Sequence, residues 1–442
     1  MRFVFFFLVV FLFLGFVRAQ WDDDDDDPRW PDDPDDEDPD DDDPPRWTTT
    51  TRRQPTPTRR PTTTRGPTQR PTSTRGPTRP TSSAVPDPDE PPVPTPTGID
   101  TFANATVYQP DDSSHHLTSP RTEDLPVNNT ILAVWNDPEQ LNDTLSVYRS
   151  TNDGFSWYAH GTARSTVAGR RLLEPHLLYV EGSWSSETKM TLLAVNAVDA
   201  KSTNIELYAS WDDGVTFEFV HRVAEGGSTA ESRAVGQPFL LLHDKRLTVY
   251  YVDQRDGQHA QKIVHQSTAD MWENWGTAID VAASNTLTDR EGMTSVAKLP
   301  NNQYIIVFES QAGNGSTASS TVNYKLTSTP ENVGTEPKRE ITTSTGVKPQ
   351  GAAFVAWSPV GGTNGTIVLS DSASNSIFVN QALGAGPWRE VVTGAGRAFA
   401  REVRPVPTDK TKLRIAGGSE NAEKSSDVLV TVIDLEKALA AK

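Results

Sequence analysis

No cysteine occurs anywhere in the 442-residue chain. Disulfides, thiol catalysis and cysteine-ligated metals are therefore excluded. The eight histidines, at 115, 116, 160, 176, 221, 243, 259 and 265, lack metal-ligand spacing, so neither a metal nor another cofactor is expected. Long apolar runs are scarce: beyond residues 3–17 no stretch is long enough to span a bilayer. Long helical periodicity is missing as well. The apolar runs are short, alternate, and are rich in Val, Ile, Thr and Tyr, which argues against an α-solenoid and for strands. Basic charge is in deficit, with 41 Lys and Arg against 59 Asp and Glu for a net charge of −18, and no nucleic-acid partner is expected.

The N-terminal fifth is of a different kind. Arg2, the apolar run Phe3–Val17, and the small residues Val17 and Ala19 around Arg18 read as a secretory signal over residues 1–19, with Gln20 as the mature start. Cleavage leaves no membrane span, and the expected location is extracellular. Residues 20–97 hold 10 basic and 19 acidic residues and little that is apolar, so they read as a disordered arm. Its first block, Asp22–Asp43, is mostly Asp and Pro. Its second, Arg46–Pro80, is Arg, Thr and Pro, with Thr-Arg-Gly-Pro-Thr at 64–68 and again at 74–78. A solvated spacer is the first reading, and an O-glycosylated stalk suits the same composition. Contact between the arm and a charged cell wall is the more speculative one. From residue 98 the composition turns globular. Asn104, Asn128, Asn142, Asn314 and Asn364 each open an N-x-Ser/Thr sequon, which in a secreted chain marks surface-loop glycosylation.

The globular part repeats. Ser210, Asp212, Gly214 and Phe217 form S-x-D-x-G-x-T-F, in which Ser and Asp oxygens can hold a turn and Gly supplies a positive φ. Ser150, Gly154 and Trp157 give the same spacing, with Asn152 at the third position. Thr268, Asp270 and Trp275 keep three positions, with Trp272 where Gly belongs. A worn copy starts at Ser328. The starts are 60, 58 and 60 residues apart, and a fixed long period is the mark of a repeat architecture. Before each copy lies a related segment: Leu172–Leu178, Gly236–Leu241, Glu291–Val296 and Pro349–Ala352. The stretch Phe239–Leu242, then His243–Lys245, then Leu247–Val252 reads as strand, hairpin, strand. About four strands fit one period, and residues 98–442 hold about six periods. The expectation is all-β: a six-bladed β-propeller of four-stranded antiparallel blades, closed by a short helix or tail at Leu435–Lys442, and a monomer.

Turns of this type at blade spacing resemble the Asp boxes of sialidase-like propellers. A longer set of residues is more specific. Tyr250–Asp256, His259–Gln266, Gly292–Thr294, Tyr304–Glu309 and Ser370–Asn380 resemble the fungal exo-arabinanases, over roughly residues 115–420. That family is a retaining one. The resemblance implies two catalytic carboxylates, one in Trp-Glu-Pro-Phe and one in a later aromatic-Glu motif. Glu309 matches the later motif. The earlier one reads Gly236, Gln237, Pro238, Phe239 here, so a neutral amide stands where the attacking carboxylate is expected. Glu174 holds the corresponding Glu-Pro position one blade earlier and is the substitute candidate, with a hydrogen-bonded strand-start carboxylate as its plain alternative. Arg121 resembles an arginine that faces the pocket in related propellers. Arg255 and Asp256 resemble the family's signature loop, and an internal ion pair is the plain alternative. Gln237 and Glu309 are expected to face each other across the central mouth.

Three functions remain open at this point. One is a secreted glycoside hydrolase acting on arabinan or a related polysaccharide or oligosaccharide. A second is a non-catalytic sugar-binding propeller that lost its nucleophile. A third is a sialidase, which would need three pocket arginines and a Tyr nucleophile.

Overall fold

The computed structural model describes residues 95–112, 114–231, 233–313, 319–418 and 427–441. The signal, nearly all of the arm and the Asn314 sequon lie outside the described residues. Every major element is a strand. The first sheet has eight: β2 (Thr118–Leu125), β3 (Thr130–Asn136), β4 (Thr144–Ser150) and β5 (Tyr158–Arg164), then β6 (Arg171–Glu181), β7 (Lys189–Val198), β8 (Thr203–Ser210) and β9 (Thr216–Gly226). Each set of four is an antiparallel meander. The two sets join only where the outer strands β5 and β9 pair in parallel, Thr162 with Thr216 and Ala163 with Phe217.

Three further sheets have four strands each. They are β10 (Val235–His243), β11 (Arg246–Asp253), β12 (Lys262–Thr268) and β13 (Ile279–Ala282); β14 (Arg290–Lys298), β15 (Tyr304–Ala312), β16 (Ser319–Thr327) and β17 (Arg339–Glu340); and β18 (Phe354–Ser358), β19 (Thr366–Ser370), β20 (Ser376–Asn380) and β21 (Arg389–Val392). The last sheet takes β22 (Glu402–Pro405), β23 (Lys412–Gly418) and β24 (Val428–Asp434) from the C-terminal end. Its outer strand is β1 (Asp100–Tyr108), paired with β24 from Asp100–Ile433 to Tyr108–Val428. The expected C-terminal helix is present as α1 (Leu435–Ala440), capped by the Asp434 carboxylate on the Lys437 amide.

The middle strands are apolar on both faces because sheets cover both. Leu247, Val249, Tyr250 and Tyr251 of β11, and Ile305–Phe308 of β15, are at most 1% exposed. Their continuous runs of branched and aromatic residues are the sequence form of a fully buried strand. The hairpin between β10 and β11 turns on Asp244 and Lys245, both at positive φ (46° and 62°), as a two-residue primed turn requires.

The turns read from sequence have the expected mechanics. Ser210 Oγ donates to Asp212 Oδ1 (2.8 Å) and accepts the Gly214 N–H (2.8 Å), and Asp212 Oδ1 accepts the Thr216 N–H (2.9 Å). Ser150 and Asn152 repeat this with Gly154 and Ser156. Trp157 and Trp275 each donate their indole N–H to the carbonyl three residues back. The copy placed at Ser328 needs correction. The third strand of that sheet ends at Thr327, and a 3₁₀ turn, Pro330–Thr335, follows. One further turn of the same kind went unread. Asn380 Oδ1 accepts the Gly384 N–H (2.9 Å), and Leu383 and Gly384 have φ of 55° and 86°, close to Asp213 and Gly214 at 60° and 90°.

One glycine explains why the first sheet runs to eight strands. Gly161 in β5 lies against the turn of the neighbouring meander, where a Cβ would overlap the carbonyl oxygens of Gly214 and Val215. The Thr162 N–H reaches Val215 O at 3.1 Å across that contact. Gly161→Val is expected to cost about 2–3 kcal/mol of unfolding free energy through forced separation of the two edges. Urea denaturation of both proteins measures it, and equal stability would show that the edge contact carries no weight.

Candidate functional site: a central pocket bounded by left-handed residues

The inner strand of every sheet is entered through one left-handed residue. Ser119, Glu174, Gln237, Met293, Gly351 and Ala400 have φ of 49°, 51°, 52°, 53°, 81° and 54°. In four of these strands the pairing register shifts at this point, so each residue sits in a bulge. Only one of the six is glycine. Holding the other five there costs on the order of 1 kcal/mol apiece, and such strain gathers where a fold must aim particular groups.

The amides of these six residues are all satisfied from the preceding set of four strands or the segment that follows it. Glu174 N–H donates to Asn136 Oδ1 (3.0 Å), Gln237 N–H to Glu174 Oε2 (2.7 Å), and Met293 N–H to Gln237 Oε1 (2.8 Å). Gly351 N–H donates to Ser320 Oγ (3.1 Å), Ala400 N–H to Ser372 Oγ (3.3 Å), and Ser119 N–H to Phe399 O (3.0 Å). The last link joins the C-terminal sheet to the first, so the hydrogen bonds form a closed belt. Glu174 and Gln237 play the same part at successive positions of it.

A narrow cavity opens above this belt. Its walls include Ser119, Arg121, Glu174, Gln237, Thr294 and Phe354. Five inner strands contribute through or beside their first residues: β2, β6, β10 and β14, and β18 through Phe354. Phe239 stacks on His176 at 4.2 Å and lies 5.9 Å from Phe354, giving the cavity an aromatic side.

Glu174 reaches the cavity, as its Glu-Pro position implies. Both of its hydrogen bonds, from Gln237 N–H and from Asn196 Nδ2 (3.0 Å), fall on Oε2. Burial raises its pKa against the pull of those two donors, so the group is biased toward the protonated form that a general acid needs. Arg121 is buried rather than exposed. It donates from Nη1 to the carbonyls of Pro120 and Ala400 (both 2.8 Å), and its guanidinium lies 4.9 Å above the centre of the Phe354 ring. Burial lowers its pKa to about 10, which leaves it charged at neutral pH.

Glu309 is placed one strand outward. It pairs with Gly292 across β14 and β15 and is not among the residues lining the cavity. Its Oε1 accepts the Ser320 hydroxyl (2.6 Å), and Ser320 in turn accepts the Gly351 amide, so Glu309 is tied into the belt. Burial raises its pKa, and the nearby Glu291 adds to the rise. Arg255 and Asp256 lie away from the cavity and do not pair with each other. Arg255 pairs with Asp253 (2.7 Å), and Asp256 with Lys262 (2.8 Å) and His259 (3.0 Å). Sequence reasoning missed Phe354, Met293 and Thr294. The copies at 291–296 and 349–352 had marked their strands, but nothing in them marked a pocket face. Among the described residues no cluster of three or more His, Asp or Glu could hold a metal ion.

Of the four sequons inside the described residues, Asn128, Asn142 and Asn364 are exposed beside turns. Asn104 is exposed but lies within β1. Its side chain bonds to Gly394 O (3.0 Å) and the Gly396 N–H (3.2 Å).

No family model and no curated protein matches the chain. Solved structures do. An α-L-arabinanase from Penicillium chrysogenum complexed with arabinobiose is 35% identical, over 78% of this chain and 100% of that one, with a TM-score of 0.71. A GH93 α-L-arabinofuranosidase from Fusarium graminearum, also with arabinobiose, is 31% identical over 76% of this chain and 99% of that one, TM-score 0.71. A NanB sialidase variant from Streptococcus pneumoniae, 11% identical over 78% of this chain and 71% of that one, shares the fold alone, TM-score 0.51. The repeated strand-entry residues, the aromatic-walled central cavity and about a third of all residues held in common over the full length of a fungal enzyme lead to one assignment: the chain belongs to the GH93 family of arabinanases and α-L-arabinofuranosidases.

Proposed function

We propose that this protein is a six-bladed propeller that binds the end of an arabinan-derived oligosaccharide in its central pocket, and that it turns the sugar over poorly or not at all. The six left-handed strand entries support the blade count, with β1 completing the last blade. Relatives that share about a third of the residues hold arabinobiose, which supports the sugar class. In this reading residues 1–19 are a cleaved signal, 20–97 an extended arm, and 98–442 the propeller of a secreted monomer. The sequons Asn128, Asn142 and Asn364, on exposed turns, are the better glycosylation candidates. Among the described residues no helix is long and apolar enough to cross a membrane.

One observation carries the catalytic half of the proposal. The side chain at 237 is an amide on the cavity wall, and a neutral amide cannot trap an oxocarbenium-like centre covalently. Glu174 is the carboxylate on the cavity wall and supports the part of general acid or substitute nucleophile, whereas Glu309, the acid that the family motif suggests, lies one strand outward. A sialidase reading has a single arginine, Arg121, among the lining residues, where three are needed.

Titration calorimetry with arabinobiose, beside arabinose release from arabino-oligosaccharides and sialic acid release from sialosides, tests this. Binding without appreciable release is the expected result. Any residual release is expected to vanish in Glu174→Gln if Glu174 has taken over the nucleophile's part. Strong release that survives Glu174→Gln would overturn the assignment of Gln237.

A further inference from the structure

The third Asp-box turn differs from the first two at one residue. Trp272 stands where Gly154 and Gly214 stand. In those two turns the glycine N–H is bonded to the Ser hydroxyl (3.0 and 2.8 Å). Here the Trp272 N–H bonds to Asp270 O (3.1 Å), and the left-handed conformation falls on Met271 alone, at φ 75°. The turn has been rebuilt around an indole.

That indole meets another from the neighbouring sheet. Trp211, in the turn after β8, lies 6.5 Å from Trp272 at an interplanar angle of 74°. Trp275 stacks on His221 of β9 at 6.1 Å and 29°. Trp211 is 54% exposed, so its outer face adds little to the core. The result is a cluster of three indoles and an imidazole at the seam between the β6–β9 and β10–β13 units, separate from the central cavity, with Trp211 exposed and Trp272 and Trp275 half-buried against the core. The two turns, 210–217 and 268–275, also hold Asp212, Asp213, Asp270 and Glu273 and no Lys or Arg. Four carboxylates repel an anionic polymer and a second copy of this acidic chain alike. A neutral sugar chain meets neither obstacle. Its C–H faces stack on indole, and its hydroxyls donate to carboxylates.

We propose that Trp211, Trp272 and Trp275 form a second binding surface for neutral polysaccharide, which holds a long arabinan chain while its end occupies the pocket. The choice of arabinan rests on the function proposed above. The surface itself rests on the rebuilt turn, the exposed Trp211 ring with the half-buried Trp272 and Trp275 beside it, and the charge.

The test uses the full chain in affinity electrophoresis through gels containing debranched arabinan, beside calorimetry with arabinobiose. Trp211→Ala and Trp272→Gly are the variants. The second restores the glycine of the other two turns, which keeps the test usable if removing Trp211 upsets folding. Each is expected to weaken retardation about tenfold, as the loss of one well-stacked ring would, with arabinobiose affinity unchanged. Wild-type protein that runs unretarded, or variants retarded as strongly as wild type, would overturn the proposal. A wild-type oligomer that dissociates in either variant would also overturn it, by assigning the face to a second copy. Retardation that depends on the tryptophans in a protein that fails to bind arabinobiose would uphold the surface and remove the pocket reading.

Discussion

Gln237→Glu is expected to raise arabinose release from arabinobiose by about a hundredfold or more. A group that attacks the anomeric carbon commonly supplies several kcal/mol of transition-state stabilisation, and each 1.4 kcal/mol is about tenfold in rate. The backbone is already prepared for the change. Gln237 uses its side-chain oxygen to accept the Met293 N–H, and a carboxylate accepts the same bond. Glu174 shows that this is sterically sound, because it does the same for the Gln237 amide at nearly the same φ. The new charge lies close to Glu174, and like charges raise each other's pKa. The gain is therefore expected to grow as pH rises through the range in which the new carboxylate ionises. Steady-state release over a pH series measures both effects. Unchanged release in a variant that still binds arabinobiose would mean that Gln237 does not occupy the nucleophile's place.

Arg404→Met is expected to cost about 3–5 kcal/mol of stability at neutral pH. Arg404 bridges two buried carboxylates, Glu123 Oε2 at 2.8 Å and Glu402 Oε1 at 3.0 Å. Glu402 also accepts the Thr122 amide (2.7 Å) and hydroxyl, and Glu123 Oε1 accepts the Tyr179 N–H (3.0 Å). Three inner strands, β2 and β6 of the first sheet and β22 of the last, meet on this group. Without the guanidinium both carboxylates are left buried and uncompensated. Burial already lifts Glu123 to about 7, with Arg404 and the Tyr179 amide pulling the other way. Its ordinary value is about 4.5, so between those two pH values the folded state keeps a proton that the unfolded chain has released. Stability therefore falls as pH rises through that window, by on the order of 3 kcal/mol, and levels off above it. Glu123→Gln is expected to remove this slope, and the penalty of Arg404→Met to be larger at pH 8 than at pH 5. Denaturant titrations at the two pH values measure both. An Arg404→Met protein as stable as wild type would show that the three inner strands do not depend on this ion pair.

The repeat was legible because its turns are built from local chemistry. Ser210, Asp212 and Gly214 bond to one another within five residues, so the pattern survives in the sequence whatever surrounds it. Asn380 and Gly384 do the same work with another donor set, and Ser328 offered a hydroxyl one residue past the strand end; residue type misled in both places. The pocket was legible only in part. Glu174, Gln237 and Arg121 stood next to prolines in repeated strand entries, and the structure brings all three to the cavity. Phe354 and Thr294 carry no local mark, because they reach the cavity through the arrangement of whole sheets. Arg255 and Asp256 show the reverse error. Their motif is local and recognisable, but Asp253 and Lys262 hold them elsewhere.

The pairing of β1 with β24 has a consequence for how the chain reaches this state. Most sheet contacts here are hairpins between strands a few residues apart, and can form soon after those strands leave the ribosome. Asp100 has to wait for Ile433. Closing a loop of that length costs about 3 kcal/mol more entropy than closing a short hairpin, and such long-range pairing slows folding. Until residues 428–434 are made, β1 is an unpaired edge, the kind of surface on which nascent chains associate. The acidic block at 22–43 is made before any of the strands, and its like charge opposes close approach of neighbouring nascent chains during that interval.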